Sequence, residues 1–117
     1  MHEISVAQEI INVVQQYLPQ NNCEVKSVKL KIGKLSNILV DSLLFCFDAV
    51  SKDTPLRDAK LIIEDDPLKI ACSNCMNESI LYEIEFLCPV CGSAAIEVIG
   101  GIEMHILEIE IKDNMEV

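Results

Sequence analysis

Apolar residues recur at Val6, Ile10, Val14 and Leu18, with Ala7 and Ile11 beside them, along SVAQEIINVVQQYLP. That interval marks one buried face of a helix. Ser5 followed by Gln8 has the form of a capping box, and Pro19 closes the run. The period then shortens to two: Val28, Leu30 and Ile32 alternate with Lys29 and Lys31, behind the turn formers NN and ahead of Gly33. This predicts a half-buried strand. In VDSLLFCFDAVSKD the apolar positions Leu43, Leu44, Cys46, Phe47 and Val50 return to helical spacing, with Asp41 placed as an N-cap. AKLIIEDD reads as a second strand stopped by Pro67. After Leu68 the pattern breaks into two short cysteine pairs, the strand-like ILYEIEFL and the loop signal Gly100–Gly101. Alternation resumes in IEMHILEIEIKD, with Ile102, Met104, Ile106, Ile109 and Ile111 mostly on one face.

The order helix, strand, helix, strand, insertion, strand predicts an α+β fold. Two helices and a three-stranded sheet form a domain from residues 1–67 and 102–117, interrupted by an insertion at 68–101. At 117 residues, half of them hydrophobic, the chain has enough apolar material for a core of this size. The insertion, about 35 residues long, does not.

The insertion carries CSNC and CPVC: Cys72, Cys75, Cys88 and Cys91. Two C-x₂-C pairs twelve residues apart close into a Cys₄ tetrahedron once a turn or hairpin brings them together. Each pair forms a knuckle whose backbone N–H groups face the sulfurs. Pro89 stiffens the second knuckle and Gly92 tolerates the positive φ that such a turn requires, while Met76 holds the matching place in the first. Metal binding would supply on the order of 10 kcal/mol toward folding the insertion. Four protein sulfurs leave no open position, so the site is read as structural zinc. Rubredoxin-like iron uses nearly the same knuckles, but among aromatic residues that are thin here. A redox dithiol would not need a second pair. Cys23 and Cys46 are single and read as small buried hydrophobes.

Composition narrows the function classes. Nine basic residues stand against 19 acidic ones, a formal charge of −10, and there is no Trp. Such a chain repels phosphate backbones and has few rings for base stacking, so nucleic acid is not an expected partner. No basic and apolar leader opens the sequence, and no apolar stretch reaches the roughly 18–20 residues of a membrane span. A cytoplasmic location is expected. No Ser–His–Asp or paired-acid constellation is recognisable, and the expected zinc has no free position, so an enzyme is not expected.

With its opening MHEISVAQ, the segments VKLKIGKLS and LLFCFDAV, the pairs CSNC and CPVCGS, and the terminal GIEMHILEIEI, the chain closely resembles the HypA/HybF family of hydrogenase-maturation proteins. The resemblance implies a nickel metallochaperone with a nickel-binding and a zinc-binding domain. It implies delivery of Ni(II) to the precursor of the [NiFe] hydrogenase large subunit, in cooperation with a HypB-like GTPase. Such a carrier is expected to be a monomer or weak homodimer. The expected nickel ligands are His2 and Glu3, with the Met1 amine as a further donor; the expected zinc ligands are the four cysteines.

The chemistry of the first residues agrees with this implication. At position two an imidazole, its own backbone nitrogen and the preceding α-amine close adjacent chelate rings. Nitrogen-rich tetragonal sites suit Ni²⁺ and Cu²⁺ better than tetrahedral zinc. The positive end of the helix that follows mildly disfavours a cation, which favours release as well as capture. Some family members place an acidic residue six positions after the KIG glycine. Here that position is Leu39, and the nearest acid is Asp41, read as a helix cap. His105 falls out of phase with the apolar face of its strand and reads as an exposed surface residue, with an accessory ligand role unproven. The alternative to a nickel carrier is a zinc-ribbon adaptor, a protein-interaction module without nickel transfer.

Overall fold

The computed structural model describes residues 2–19 and 23–112. The turn formers Asn21 and Asn22 and the Met1 amine lie outside the described residues. The elements run α1 (Glu3–Gln16), β1 (Val25–Gly33), α2 (Val40–Val50), β2 (Lys60–Asp66), β3 (Leu68–Cys72), β4 (Glu78–Leu81), β5 (Ile96–Gly100) and β6 (Met104–Ile111). They form two three-stranded sheets, ordered β2-β1-β6 and β4-β3-β5. The α+β architecture with two helices and a three-stranded sheet is as the sequence implies. The sheet built inside the insertion was not expected as such.

The chain forms two compact units. Taken over the described residues, one comprises Met1–Leu30, Ile38–Ile63 and Ile106–Val117, and the other Lys31–Asn37 and Glu64–His105. In the first unit α1 packs against α2. The apolar face of α1 is buried at Val6, Ala7, Ile10, Ile11 and Val14, as its spacing requires. α2 contributes Leu43 and Phe47, and the sheet contributes Val25, Val28 and Leu30. Leu44 and Phe45 instead face solvent. Cys23 and Cys46 are half-buried, less enclosed than the sequence suggests.

Both helices begin differently from the capping signals in their own sequence. α1 starts at Glu3 with His2 as N-cap, so Ser5 lies inside the helix and no side chain caps it. α2 starts at Val40 with Leu39 as N-cap, and Asp41 sits in its first turn, where a carboxylate still favours the positive end of the helix.

In the second unit β3 pairs antiparallel with β4 on one side and β5 on the other. Leu68 and Ile70 are fully buried between Lys69 and the half-buried Ala71, the alternation of a one-sided sheet. The run Tyr82–Leu87 carries apolar residues but forms no strand beyond Leu81, and its large side chains are exposed. Of the predicted loop pair, Gly100 is the last residue of β5, and the turn after it at Gly101 is packed against backbone. Gly101 has φ +80°, and a Cβ there would come within 2.5 Å of the Pro67 carbonyl oxygen. Gly33 meets the same backbone, with a Cβ 2.6 Å from the Gly101 carbonyl. Three segments are knit here: the amides of Leu35, Lys34 and Gly33 donate to the carbonyls of Gly101, Asp66 and Glu103 at 2.8, 3.0 and 3.0 Å. Ile102 is exposed ahead of β6, which begins two residues later.

Candidate metal centre

The four cysteines of the insertion converge. Their sulfurs all lie within 4.8 Å of one another, and no other His, Cys, Asp or Glu among the described residues joins them. Cys72 Sγ is 3.7 Å from Cys91 Sγ, and Cys75 Sγ is 3.6 Å from Cys88 Sγ. A zinc ion with Zn–S bonds of about 2.3 Å sets the edges of its sulfur tetrahedron at about 3.8 Å. The donor set and its spacing therefore fit zinc. The sheet brings the pairs together, because β3 ends at Cys72 while β5 pairs Ile96 with that same residue.

Each knuckle is a tight turn with the same hydrogen bonds. The amide of Met76 donates to the Cys72 carbonyl at 3.0 Å, and that of Gly92 to the Cys88 carbonyl at 2.8 Å. The amides of Cys72 and Cys88 donate to the carbonyls of Asn77 and Ser93, both at 2.9 Å. Such a turn requires positive φ, which Gly92 adopts at 77° and Met76 at 63°. Gly92 does this without strain. Met76 does so against the left-handed penalty of a side chain.

The sulfurs are surrounded by donors. The amide of Cys75 points at Cys72 Sγ (3.5 Å), and that of Val90 at Cys88 Sγ (3.4 Å). Two asparagine side chains add to them, Asn74 Nδ2 to Cys91 Sγ and Asn77 Nδ2 to Cys75 Sγ, each at 3.5 Å. Thiolates are favoured where these donors dominate. The Asn74 side-chain amide, aided by the Ser93 backbone, lowers the Cys91 thiol to about 6. The Cys91 and Val90 amides lower that of Cys88. At Cys75 the Asn77 backbone amide favours the thiolate, but desolvation and the neighbouring Cys88 and Cys72 sulfurs push the thiol up on balance. Cys72 and Cys88 are buried and Cys91 is exposed. The sequence identifies all four sulfurs. It does not single out Asn74 or Asn77, since an asparagine inside or beside a C-x₂-C carries no spacing signal.

At the other end, His2 is exposed and its carbonyl accepts the Val6 amide at 3.1 Å, the first hydrogen bond of α1. The Glu3 carboxylate accepts the backbone N–H of Leu39 at 3.1 Å. Asp41 is exposed on α2 and His105 is exposed on β6. Among the described residues no second group of three or more His, Cys, Asp or Glu donors converges.

Residues 1–111 match the profile of the family described as hydrogenase/urease nickel incorporation, metallochaperone, HypA. The hydrogenase maturation factor HypA of Desulfatibacillum aliphaticivorans is 39% identical over 118 residues, spanning 99% of this chain and 91% of that one. That of Nostoc sp. is 39% identical over 113 residues, 97% of each. The fold is similar to the solution structure of the nickel metallochaperone HypA from Helicobacter pylori, with a TM-score of 0.67 and 24% identity over 95% of this chain and 97% of that one. At that identity the likeness concerns the fold. The family profile and the curated relatives carry the assignment: this chain belongs to the HypA family of hydrogenase/urease nickel incorporation metallochaperones, which are maturation factors and not enzymes.

Proposed function

We propose that the chain binds Ni(II) through His2 and Glu3 and delivers it to the precursor of a [NiFe] hydrogenase large subunit. The observation that carries this reading is the exposed His2 as N-cap of α1, next to a Glu3 carboxylate already anchored to a backbone amide. A histidine whose backbone is set by a helix start is better placed as a donor than one on a frayed terminus. The α-amine of Met1 adds a further nitrogen, giving the N-rich set that nickel prefers. Residues 1–67 and 102–117 serve nickel, and residues 68–101 hold zinc in a closed Cys₄ site that stabilises fold and takes no part in transfer. The sequence has no nucleotide-binding Gly-rich loop. The energy for directional delivery therefore comes from a partner, a HypB-like GTPase. Among the described residues no helix is long and apolar enough to cross a membrane, which is compatible with work in the cytoplasm.

The test is transfer. The chain preloaded with one equivalent of nickel is mixed with the hydrogenase large-subunit precursor, with and without the GTPase and GTP, and nickel is counted on the re-isolated precursor. Transfer that depends on His2 supports the reading. Equal transfer from His2→Ala, or none under any condition, sinks it and favours a zinc-ribbon adaptor.

A further inference from the structure

Three polar contacts tie the first knuckle to the segment that carries the second, and they are chemically unequal. Ser73 donates to the Ala95 carbonyl twice, from its amide at 3.0 Å and its hydroxyl at 3.1 Å. Asn74, the next residue, reaches a ligand itself: its Nδ2 lies 3.5 Å from Cys91 Sγ. Asn77 supplies the same group at the same distance, but to Cys75, two residues away in its own knuckle. The amide of Asn74 is thus the one among these that crosses from one knuckle to a sulfur of the other.

The sulfur it reaches is the accessible one. Cys72 and Cys88 are 3% and 2% exposed, and Cys75 is intermediate, whereas Cys91 is open to solvent. A chelator or electrophile arriving from water meets Cys91 first. A donor N–H on a thiolate withdraws charge from the lone pair that attack requires, and fixes the sulfur toward the metal.

We propose that Asn74 is a positioning residue of the metal centre, latching the exposed Cys91 sulfur across the two knuckles and so controlling how fast the bound zinc exchanges. The inference rests on the reading of the four cysteines as a zinc centre. Loss of the latch leaves the fold in place, because the Ser73–Ala95 bonds and the β3–β5 ladder hold the knuckles independently.

The test uses the zinc-loaded full chain as wild type, Asn74→Ala, Asn74→Asp and Asn77→Ala. Asn74→Asp keeps the shape while replacing the donor by a second negative charge. Zinc per chain is measured first. Release to an excess of a chromophoric chelator is then timed, and a brief iodoacetamide pulse is peptide-mapped; in that reaction a cysteine sulfur forms a bond to carbon and iodide leaves. Losing a ligand's supporting hydrogen bond typically weakens metal affinity about 10- to 100-fold. Release should therefore quicken about tenfold or more in Asn74→Ala and Asn74→Asp, with the early label on Cys91, and change less in Asn77→Ala. Release at the wild-type rate from both Asn74 variants, or early label on another cysteine, overturns the proposal. If the wild type holds no zinc, the zinc reading itself fails, and the proposal with it.

Discussion

The carboxylate of Glu3 accepts the backbone N–H of Leu39 across 36 residues, at 3.1 Å. A residue at the start of α1 thereby caps α2, whose own N-cap, Leu39, has no polar side chain to offer. One bond fixes the beginning of both helices.

That bond makes the contribution of Glu3 depend on pH. The Leu39 amide holds the carboxyl of Glu3 below its ordinary value of 4.5. A carboxyl whose pKa is lowered by folding stabilises the fold above its unfolded value and loses that contribution as pH falls through the folded one. Thermal melting of the wild type and Glu3→Ala should therefore differ at pH 7, with the wild type higher. The gap should shrink once pH drops below 4.5. A gap that is constant from pH 7 to pH 3 would show that the ionised carboxylate is not what caps α2.

The metal requirement of the second unit follows from its thin core. Its buried apolar side chains are few, chiefly Ile32, Leu68 and Ile70 with the two cysteines Cys72 and Cys88. Replacing Cys88 by Ser should release about one zinc per chain and unfold residues 68–101, a loss on the order of 10 kcal/mol of metal-derived stability. α1 and α2 should persist, seen as retained helical circular dichroism and slow amide exchange at Ile10 and Val14. Loss of the helices together with the metal would show that the two units do not fold separately.

The two knuckles carry different residues at the positive-φ position. Met76 occupies with φ 63° what Gly92 occupies with φ 77°. A side chain in the left-handed region costs roughly 1–2 kcal/mol, partly offset by the roughly 0.5–1 kcal/mol entropy cost of a glycine. Met76→Gly should thus be neutral or stabilise the zinc-loaded chain by up to about 1 kcal/mol. Gly92→Ala should destabilise by a similar amount or more. Denaturant melts of both variants check the signs, and a destabilising Met76→Gly would contradict the assigned backbone strain.

What was legible in the sequence was local. The 3.6-residue period gave Val6, Ile10 and Val14 as buried, and C-x₂-C spacing gave the four sulfurs, because helix faces and knuckles are written within a few residues. The helix starts were misread for the opposite reason. Ser5 and Asp41 carry ordinary capping chemistry, but the bond that orders both ends joins Glu3 to Leu39 through a backbone amide, and no sequence pattern marks that. The donors on the sulfurs are equally silent, since nothing in CSNC says that its asparagine reaches the other pair. Alternation also overreached. ILYEIEFL has strand-like residues, yet among the described residues none pairs with it past Leu81, and a strand without a partner is no strand.

The central claim is that nickel is held at the start of α1. Calorimetric titration of Ni(II) into untagged zinc-loaded protein at neutral pH, beside His2→Ala and a chain extended by one N-terminal residue, tests it most directly. The account predicts about one nickel per wild-type chain, binding strongly weakened in both altered chains, and unchanged zinc content in all three. Undiminished binding by the extended chain alone would remove only the Met1 amine from the ligand set. Undiminished binding by His2→Ala would contradict the account.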